Sequence, residues 1–217
     1  MLMTHKKNLN WKFETQVLHA GEESKYEDAH ILPIFSTSTF SFPNADVGRK
    51  RFAGDEKGFI YTRLGNPTVL ATENKIAVLE GMSLLKKGKS VEGHAFATGM
   101  GTITTVLMAL TSSNSEVIAT NPVYGGTNYL LDKVMSSHGV KTHYVDTSGD
   151  DGAERVKEVI NPKVDLIYLE TPANPNLAVT DIAMITNVAK DYNIPVVVDN
   201  TFATPYLQRP LELGASI

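Results

Sequence analysis

The sequence predicts an α/β protein with a mostly parallel sheet, helices on both faces of that sheet, and an N-terminal arm. After Pro67, short apolar runs alternate with helical segments at roughly 20 to 30 residues per unit, which requires crossover connections between parallel strands. The run Val196-Val197-Val198 has no polar alternation, as expected of a central strand buried on both sides. Residues 1–63 show little sustained periodicity and several turn signals, so we expect an extended arm that packs on another surface and ends near Asn66-Pro67.

The predicted elements follow in a regular order. The first regular helix is expected from Thr68 to Glu80, with Gly81 as its stop. The predicted strands are the short apolar runs at His94–Ala97, Glu116–Ala119, Thr142–Val145, Leu166–Leu169 and Pro195–Val198. The predicted helices between and after them are Met100–Leu110, Thr127–His138, Gly152–Ile160 and Asp181–Tyr192.

Composition excludes several classes of protein. The 217 residues contain no cysteine, so a disulfide scaffold is excluded. The net charge is −4 and no long basic run exists, which argues against a nucleic-acid partner. No apolar stretch approaches the ~20 residues of a membrane helix, and Met1 to Trp11 lack the apolar region of a secretory signal. We expect a cytoplasmic protein that handles a small molecule.

In a doubly wound sheet, ligands bind outside the carboxyl ends of the strands. Thr98-Gly99-Met100-Gly101 follows a predicted strand and opens a helix, where glycine lets backbone N–H groups approach an anion such as phosphate. The same segment could be a plain chain reversal. It is not a dinucleotide fingerprint, because the third glycine is missing.

Three further segments follow predicted strands. The loop from Glu170 to Asn176 contains two prolines and presents Glu170 and Asn174 at the sheet edge, although an ordinary turn would look the same. Asp199 follows the most apolar strand, and such a carboxylate needs either a cation or several hydrogen-bond donors. A cationic ligand would meet this need, and so would a structural role as the cap of a neighbouring helix. Tyr124, before Gly125 and Gly126, could stack on a ring or pack in the core.

Together these features are more specific than each alone. A phosphate cradle at one strand end and a carboxylate for a protonated ring nitrogen at another are the two anchors of pyridoxal 5′-phosphate. The competing classes lack their motifs: there is no phosphate-loop Gly-Lys-Ser/Thr, no Gly-x-Ser-x-Gly elbow, and no paired histidine spacing for a metal. We therefore expect pyridoxal phosphate as the cofactor and no metal.

Four segments carry a family resemblance that runs from about Thr15 to Gly214. The segments are Tyr61–Thr68, Thr98–Met100, Tyr168–Pro175 and Val198–Thr201. They resemble the Cys/Met-metabolism pyridoxal-phosphate enzymes, which comprise cystathionine γ-synthase, cystathionine γ- and β-lyases, methionine γ-lyase and O-acetylhomoserine sulfhydrylase. The resemblance implies the aminotransferase-like architecture called fold type I, with residues 1–66 as an arm and residues 67–217 as the coenzyme-binding large domain.

The resemblance also implies roles for particular residues. Gly99 and Met100 would bind phosphate through their amides, Asp199 would pair with the pyridinium, and Tyr124 would stack on the ring and help to activate the leaving group. Asn174 would lie near the ring hydroxyl, with Thr201 as a weaker candidate.

Tyr61 and Arg63 would reach the phosphate of a neighbouring subunit's cofactor, a bidentate contact that suits arginine. The arm would then be held by a partner subunit. The active site would be shared between subunits of a homo-oligomer, and the resemblance implies a dimer of dimers, which is a homotetramer.

The implied activity is γ-elimination on sulfur amino acids of the methionine γ-lyase or cystathionine γ-lyase type, or γ-replacement. Cystathionine γ-synthase and O-acetylhomoserine sulfhydrylase are the alternatives within the family. The family's Schiff-base lysine lies in a Ser-x-Thr-Lys motif that this sequence does not contain, so we expect an N-terminal portion that is inactive alone. A catalytically inert binding or assembly module is the alternative of another class.

Overall fold

The computed structural model describes residues 9–22, 26 and 28–217. Residues 1–8, 23–25 and 27, which belong to the predicted arm, lie outside the described residues. The chain divides into two compact units, residues 1–95 and 96–217. The functional division predicted after residue 66 concerns contacts with a neighbouring subunit and stays a prediction.

The first unit contains three α-helices within its described residues. They are α1 (Phe13–His19), α2 (Ala45–Ala53) and α3 (Pro67–Lys86). The side chain of Asn66 begins α3 by accepting a hydrogen bond from Thr68 N at 2.9 Å, and Pro67 occupies the first helical position, where no N–H is needed. The same asparagine is buried and donates to Phe35 O at 2.9 Å, so it ties the preceding extended chain to the helix.

Helix α3 continues past the stop predicted at Gly81. This glycine has non-helical backbone angles of φ −124° and ψ 25°, so the helix kinks there instead of ending. A Cβ on Gly81 would lie 2.6 Å from a methyl carbon of Val91. A glycine is therefore needed here because Val91 packs closely against the helix. The sequence alone does not distinguish this requirement from that of a glycine at a helix end.

The run His94–Ala97, predicted as a strand, is not a strand in the structure. The backbone N–H of Ala95 donates to the carboxylate of Glu73 at 2.9 Å, so a side chain supplies the acceptor that a neighbouring strand would supply. The prediction was wrong because an apolar run shows which residues avoid water but does not show whether a partner strand is available.

The second unit is built on a sheet that has four strands among the described residues. They are β1 (Glu116–Thr120), β2 (Lys141–Val145), β3 (Val164–Glu170) and β4 (Val196–Asp199). Their order is β2-β1-β3-β4, and every pair is parallel, which confirms the predicted parallel sheet. The chain passes from β1 to β2 on one side and then crosses to β3 on the other, so the strand order reverses at β1.

Helices connect and flank these strands. They are α4 (Gly99–Leu110), α5 (Gly125–Tyr129), which continues as a π-helical segment (Leu130–Met135), α6 (Gly152–Val159), α7 (Ile182–Asp191), α8 (Thr204–Leu207) and a 3₁₀ turn (Pro210–Leu213).

Alternate strand residues enter two separate cores, one on each face of the sheet, because successive side chains of a strand point in opposite directions. One core joins strand residues to α6 and α7 and includes Ile118, Val156, Ile167, Leu169, Ile185 and Val196. The other joins strand residues to α4 and the π-helical segment and includes Leu107, Val117, Leu131, Leu166, Tyr168 and Val197. The predicted coverage of both faces is confirmed.

Across the described part of the chain, none of the helices combines the length and the apolar character needed to cross a bilayer.

Candidate active site

A cavity of about 340 Å³ opens at the carboxyl end of the sheet, entirely within the second unit. Its walls come from the connections that follow β1, β3 and β4 and from the start of α4. The lining residues are Thr98, Gly99, Met100, Ile103, Tyr124, Glu170, Pro172, Asn174, Asp199, Thr201 and Phe202. All of the site residues predicted within residues 96–217 are among them. The cavity lies where the strand order reverses, as expected for ligand sites in such sheets.

The start of α4 forms one wall of the cavity. The side chain of Thr98 caps the helix by accepting a hydrogen bond from Gly101 N at 3.0 Å. Within the described residues, no protein acceptor takes up the N–H of Gly99 or of Met100. A Cβ added to Gly99 would meet no heavy atom within 4 Å, so the space beside this amide is open. These two donors and the positive end of the helix dipole can bind an anion.

Asp199 lies on the other side of the cavity, at the last residue of β4. Its Oδ1 accepts hydrogen bonds from the backbone N–H and the hydroxyl of Thr201, at 3.1 and 2.5 Å. Its Oδ2 accepts a hydrogen bond from the hydroxyl of Tyr168 at 3.1 Å. Three donors therefore hold the carboxylate in place, while its side chain still lines the cavity, and Thr201 acts as a support for Asp199.

Tyr168 supports this carboxylate from inside the sheet. Its side chain belongs to the core on the α4 side and is almost fully buried. Burial raises the pKa of the Tyr168 hydroxyl well above its ordinary value, and the nearby charge of Asp199 raises it further. The hydroxyl therefore keeps its proton and remains a donor to Asp199. Tyr168 was not predicted as a site residue, because its position inside an apolar strand indicates only a core residue.

Glu170, the last residue of β3, bridges two connections. Its Oε2 accepts a hydrogen bond from the backbone N–H of Tyr124 at 2.7 Å, and its Oε1 accepts one from the backbone N–H of Asn174 at 2.8 Å. The residue is only 6% exposed. Burial raises the pKa of Glu170, the two backbone donors oppose this shift, and the charge of Asp199 adds to it. The sequence predicted that Glu170 is presented at the sheet edge, but did not identify it as a site residue.

Tyr124 stands on the connection after β1 and lines the cavity with a side chain that is 45% exposed. Its ring packs over Gly126, where an added Cβ would lie 2.6 Å from Tyr124 Cε1 and 3.0 Å from Met100 Sδ. The glycine thus makes room for the ring. An aromatic face that is this accessible can stack on a planar ligand.

Tyr61 and Arg63 lie in the first unit, where Tyr61 opens a turn that includes Arg63. Tyr61 forms an antiparallel bridge with Thr39, and the guanidinium carbon of Arg63 lies 5.3 Å from the centre of the Tyr61 ring. Both side chains are exposed and lie next to each other, as a joint role would require. Their predicted contact with a neighbouring subunit stays a prediction.

The donor set of the cavity fits pyridoxal phosphate. Unpaired amides can receive a phosphate, a fixed carboxylate can receive a protonated ring nitrogen, and an accessible tyrosine ring can cover the ring between them. Cavities of about 300 to 1,000 Å³ are usual for ligands of this size. Within the described residues, no group of three or more His, Asp or Glu side chains is arranged to hold a metal ion.

Comparison with known proteins agrees with this geometry. Residues 14–217 match the family model described as Cys/Met metabolism PLP-dependent enzyme, in which PLP is pyridoxal phosphate. L-methionine γ-lyase of Treponema denticola is 40% identical over 207 residues, covering 94% of this chain and 49% of that protein. The chain spans about half the length of the curated relatives it matches.

Solved structures give the same result. Cystathionine γ-lyase of Lactobacillus plantarum, solved in complex with L-serine, superimposes with a TM-score of 0.80 at 39% identity, over 94% of this chain and 49% of that one. A Campylobacter jejuni protein that carries N'-pyridoxyl-lysine-5'-monophosphate superimposes with a TM-score of 0.83 at 31% identity, over 95% and 48%. The predicted fold type I architecture is confirmed, and the chain belongs to the Cys/Met metabolism family of pyridoxal-phosphate-dependent enzymes.

Proposed function

We propose that the protein containing this chain catalyses pyridoxal-phosphate-dependent γ-elimination, or γ-replacement, on sulfur-containing amino acids. The observation that carries this proposal is the single cavity that presents the amides of Gly99 and Met100 together with the carboxylate of Asp199. The names of the relatives, L-methionine γ-lyase and cystathionine γ-lyase, favour elimination over replacement.

Six of the residues that line the cavity have a role in this proposal. Gly99 and Met100 would bind the phosphate through their N–H groups, and Asp199 would hold the proton on the ring nitrogen. Tyr124 would stack on the ring, and Asn174 would lie near the ring hydroxyl. Thr201 would act mainly through Asp199, because both of its donors are directed at Oδ1 of that residue.

Pyridoxal phosphate, when bound, supplies an electron-withdrawing ring that stabilises negative charge on the substrate carbon next to the amino group. Asp199 would keep that ring protonated, since its fixed negative charge favours the cation. The Tyr124 hydroxyl would move a proton to the departing sulfur. The cavity walls from β1, β3 and β4 would orient the substrate.

The arm completes the proposal. Tyr61 and Arg63 would contact the phosphate in a neighbouring subunit, so that residues 1–66 act as an intersubunit arm and residues 67–217 as the coenzyme-binding domain. Such sharing makes the active site dependent on a homo-oligomer, for which we propose a tetramer in the cytoplasm. Fractionation and light scattering of the native protein test these two points.

Activity can be tested directly on the native protein. Methionine, cystathionine and O-acetylhomoserine are supplied in turn, and the release of ammonia and a 2-oxo acid is followed. For methionine, γ-elimination consumes water and yields methanethiol, ammonia and 2-oxobutanoate. A thioether formed only when a thiol is added would indicate replacement. No turnover of any of the three substrates would refute the proposal and support the alternative of an inert module.

The cofactor site can be tested with a matched pair of variants. Asp199→Asn removes the negative charge at the end of β4, and we expect coenzyme retention after dialysis to fall about tenfold or more, since hydrogen bonds to charged groups contribute ~1.5–3 kcal/mol. Asp146→Asn makes the same change just after β2, on a side chain that does not line the cavity. Equal retention by the two variants would contradict the assignment of Asp199.

A further inference from the structure

We propose that Glu170 is a positioning residue that fixes the distance between two segments. One is the chain after β1 that carries Tyr124, called the Tyr124 connection, and the other is the chain after β3 that carries Asn174, called the Asn174 loop. Glu170 thereby sets the shape of the cavity. The inference rests on the proposed function, in which this cavity receives pyridoxal phosphate. It adds a residue that makes no predicted contact with the coenzyme and acts through two residues that do.

The geometry of Glu170 carries the inference. The Tyr124 connection follows β1 and the Asn174 loop follows β3, and the two are linked to one carboxylate through different oxygen atoms. A carboxylate is the acceptor that this arrangement needs, because both of its oxygens can accept and neither carries a hydrogen. A glutamine in the same place would turn an NH₂ group toward one of the two N–H donors, so one connection would be released.

The environment of Glu170 indicates that its two hydrogen bonds are more than incidental surface contacts. The residue is 6% exposed, and an ionised carboxylate is costly to remove from water unless donors replace the lost hydration. Glu170 also pairs in register with Asp199 of β4, and like charges directly opposite each other destabilise a sheet. Two backbone donors offset part of this unfavourable environment, and a cation in the cavity would offset more.

The carboxylates of Asp199 and Glu170 favour a ligand that carries a positive charge. With Asp199 fixed by Thr201 and Tyr168, and Glu170 fixed by two amides, two adjacent carboxylates stand at the same sheet edge. A planar ligand with a cationic ring nitrogen would be attracted by both. A neutral ring of the same shape would gain less.

The test compares Glu170→Gln with a control, Glu116→Gln. Glu116 is a largely buried carboxylate at the opposite end of β1, where it accepts hydrogen bonds from His143 and Asn161. Both variants replace one oxygen by NH₂ and lose one negative charge. Binding of pyridoxamine 5'-phosphate, which has no aldehyde, is measured by calorimetry, and amide hydrogen exchange is measured without ligand.

We expect Glu170→Gln to weaken binding of the probe about tenfold or more, as the loss of a charge-assisted hydrogen bond implies, and Glu116→Gln to change it less than twofold. We expect exchange in Glu170→Gln to speed up in residues 121–128 or 172–178, with residues 116–120 unchanged. Faster exchange throughout the second unit would indicate a general loss of stability and overturn the positioning role. Unchanged exchange and unchanged binding would overturn it as well.

The two proposals fail in different ways. If the wild-type protein does not bind the probe, but Glu170→Gln still releases one of the two connections, the proposed function is wrong and the positioning role stands. If the wild type binds and Glu170→Gln behaves like Glu116→Gln, the positioning role is wrong and the proposed function stands.

Discussion

Replacing Gly126 by alanine should alter ligand binding while leaving the fold intact. The added Cβ would lie 2.6 Å from Tyr124 Cε1 and 3.0 Å from Met100 Sδ. Carbon atoms in contact normally stand about 3.5–4.0 Å apart, so the edge of the Tyr124 ring must move by about 1 Å. The ring is 45% exposed and has room to do so, and it would move within the cavity that it lines.

The size of the effect follows from this freedom. Overpacking a rigid core costs about 1–3 kcal/mol, and a ring that can move outward avoids part of that cost. Alanine in a helix is also favoured over glycine by up to about 1 kcal/mol. We therefore expect the free energy of unfolding to change by no more than about 1 kcal/mol. A displaced aromatic contact of ~0.5–1.5 kcal/mol corresponds to an affinity for pyridoxamine 5'-phosphate that is about twofold to tenfold weaker.

Gly125→Ala is the matched control, because it adds the same methyl group one residue earlier in α5. A Cβ on Gly125 meets no heavy atom within 4 Å. Urea unfolding and calorimetric titration with the probe are carried out on both variants and the wild type. Equal affinities for the two variants, or a loss of several kcal/mol in the stability of Gly126→Ala alone, would refute the reasoning.

Three further changes test individual hydrogen bonds of the second unit, two beside the cavity and one at the opposite end of β1. Thr98→Ala removes the cap of α4 and should lower the free energy of unfolding by about 1 kcal/mol in urea titrations. Thr98→Ser keeps the capping hydroxyl and should lose much less stability. Equal losses in the two variants would contradict the capping role. Tyr168→Phe removes a donor to Asp199 with little change of volume and should cost about 1 kcal/mol by the same assay; an unchanged stability would show that this hydrogen bond contributes nothing. Hydrogen bonds from an asparagine and a histidine lower the pKa of Glu116 from 4.5, so its ionised form stabilises the fold above that pH and the contribution is lost as the pH falls through the lowered pKa. Glu116→Gln should consequently show a shallower fall of Tm between neutral and strongly acidic pH than the wild type, and parallel curves would disprove the assignment.

Residues at strand ends were predictable from the sequence. Gly99 and Asp199 were identified because each follows an apolar run, and the rule that ligands bind outside the carboxyl ends of parallel strands does not depend on the details of packing. The structure brings both to one cavity although the first of the two predicted strands, His94–Ala97, is not formed. The start of α4 is sufficient to place Gly99, because the helix alone positions its first amides.

Supporting residues were not predictable in the same way. Glu170 bonds to backbone N–H groups 46 and 4 residues away, and backbone donors have no signature in a sequence. Tyr168 has the same apolar surroundings as any core tyrosine until the fold places Asp199 beside its hydroxyl. Gly81 was expected to end a helix, since a glycine required by a close contact and one required by a turn look alike.

The three donors around Asp199 have a consequence for the entropy of ligand binding. With Oδ1 bonded to Thr201 and Oδ2 bonded to Tyr168, the carboxylate cannot rotate freely before a ligand arrives. A cationic ring would therefore meet an acceptor that is already oriented, and little side-chain freedom would remain to be lost on binding. This preorganisation is set by folding, so it should be present in the free protein and absent only when the β4 edge itself unfolds.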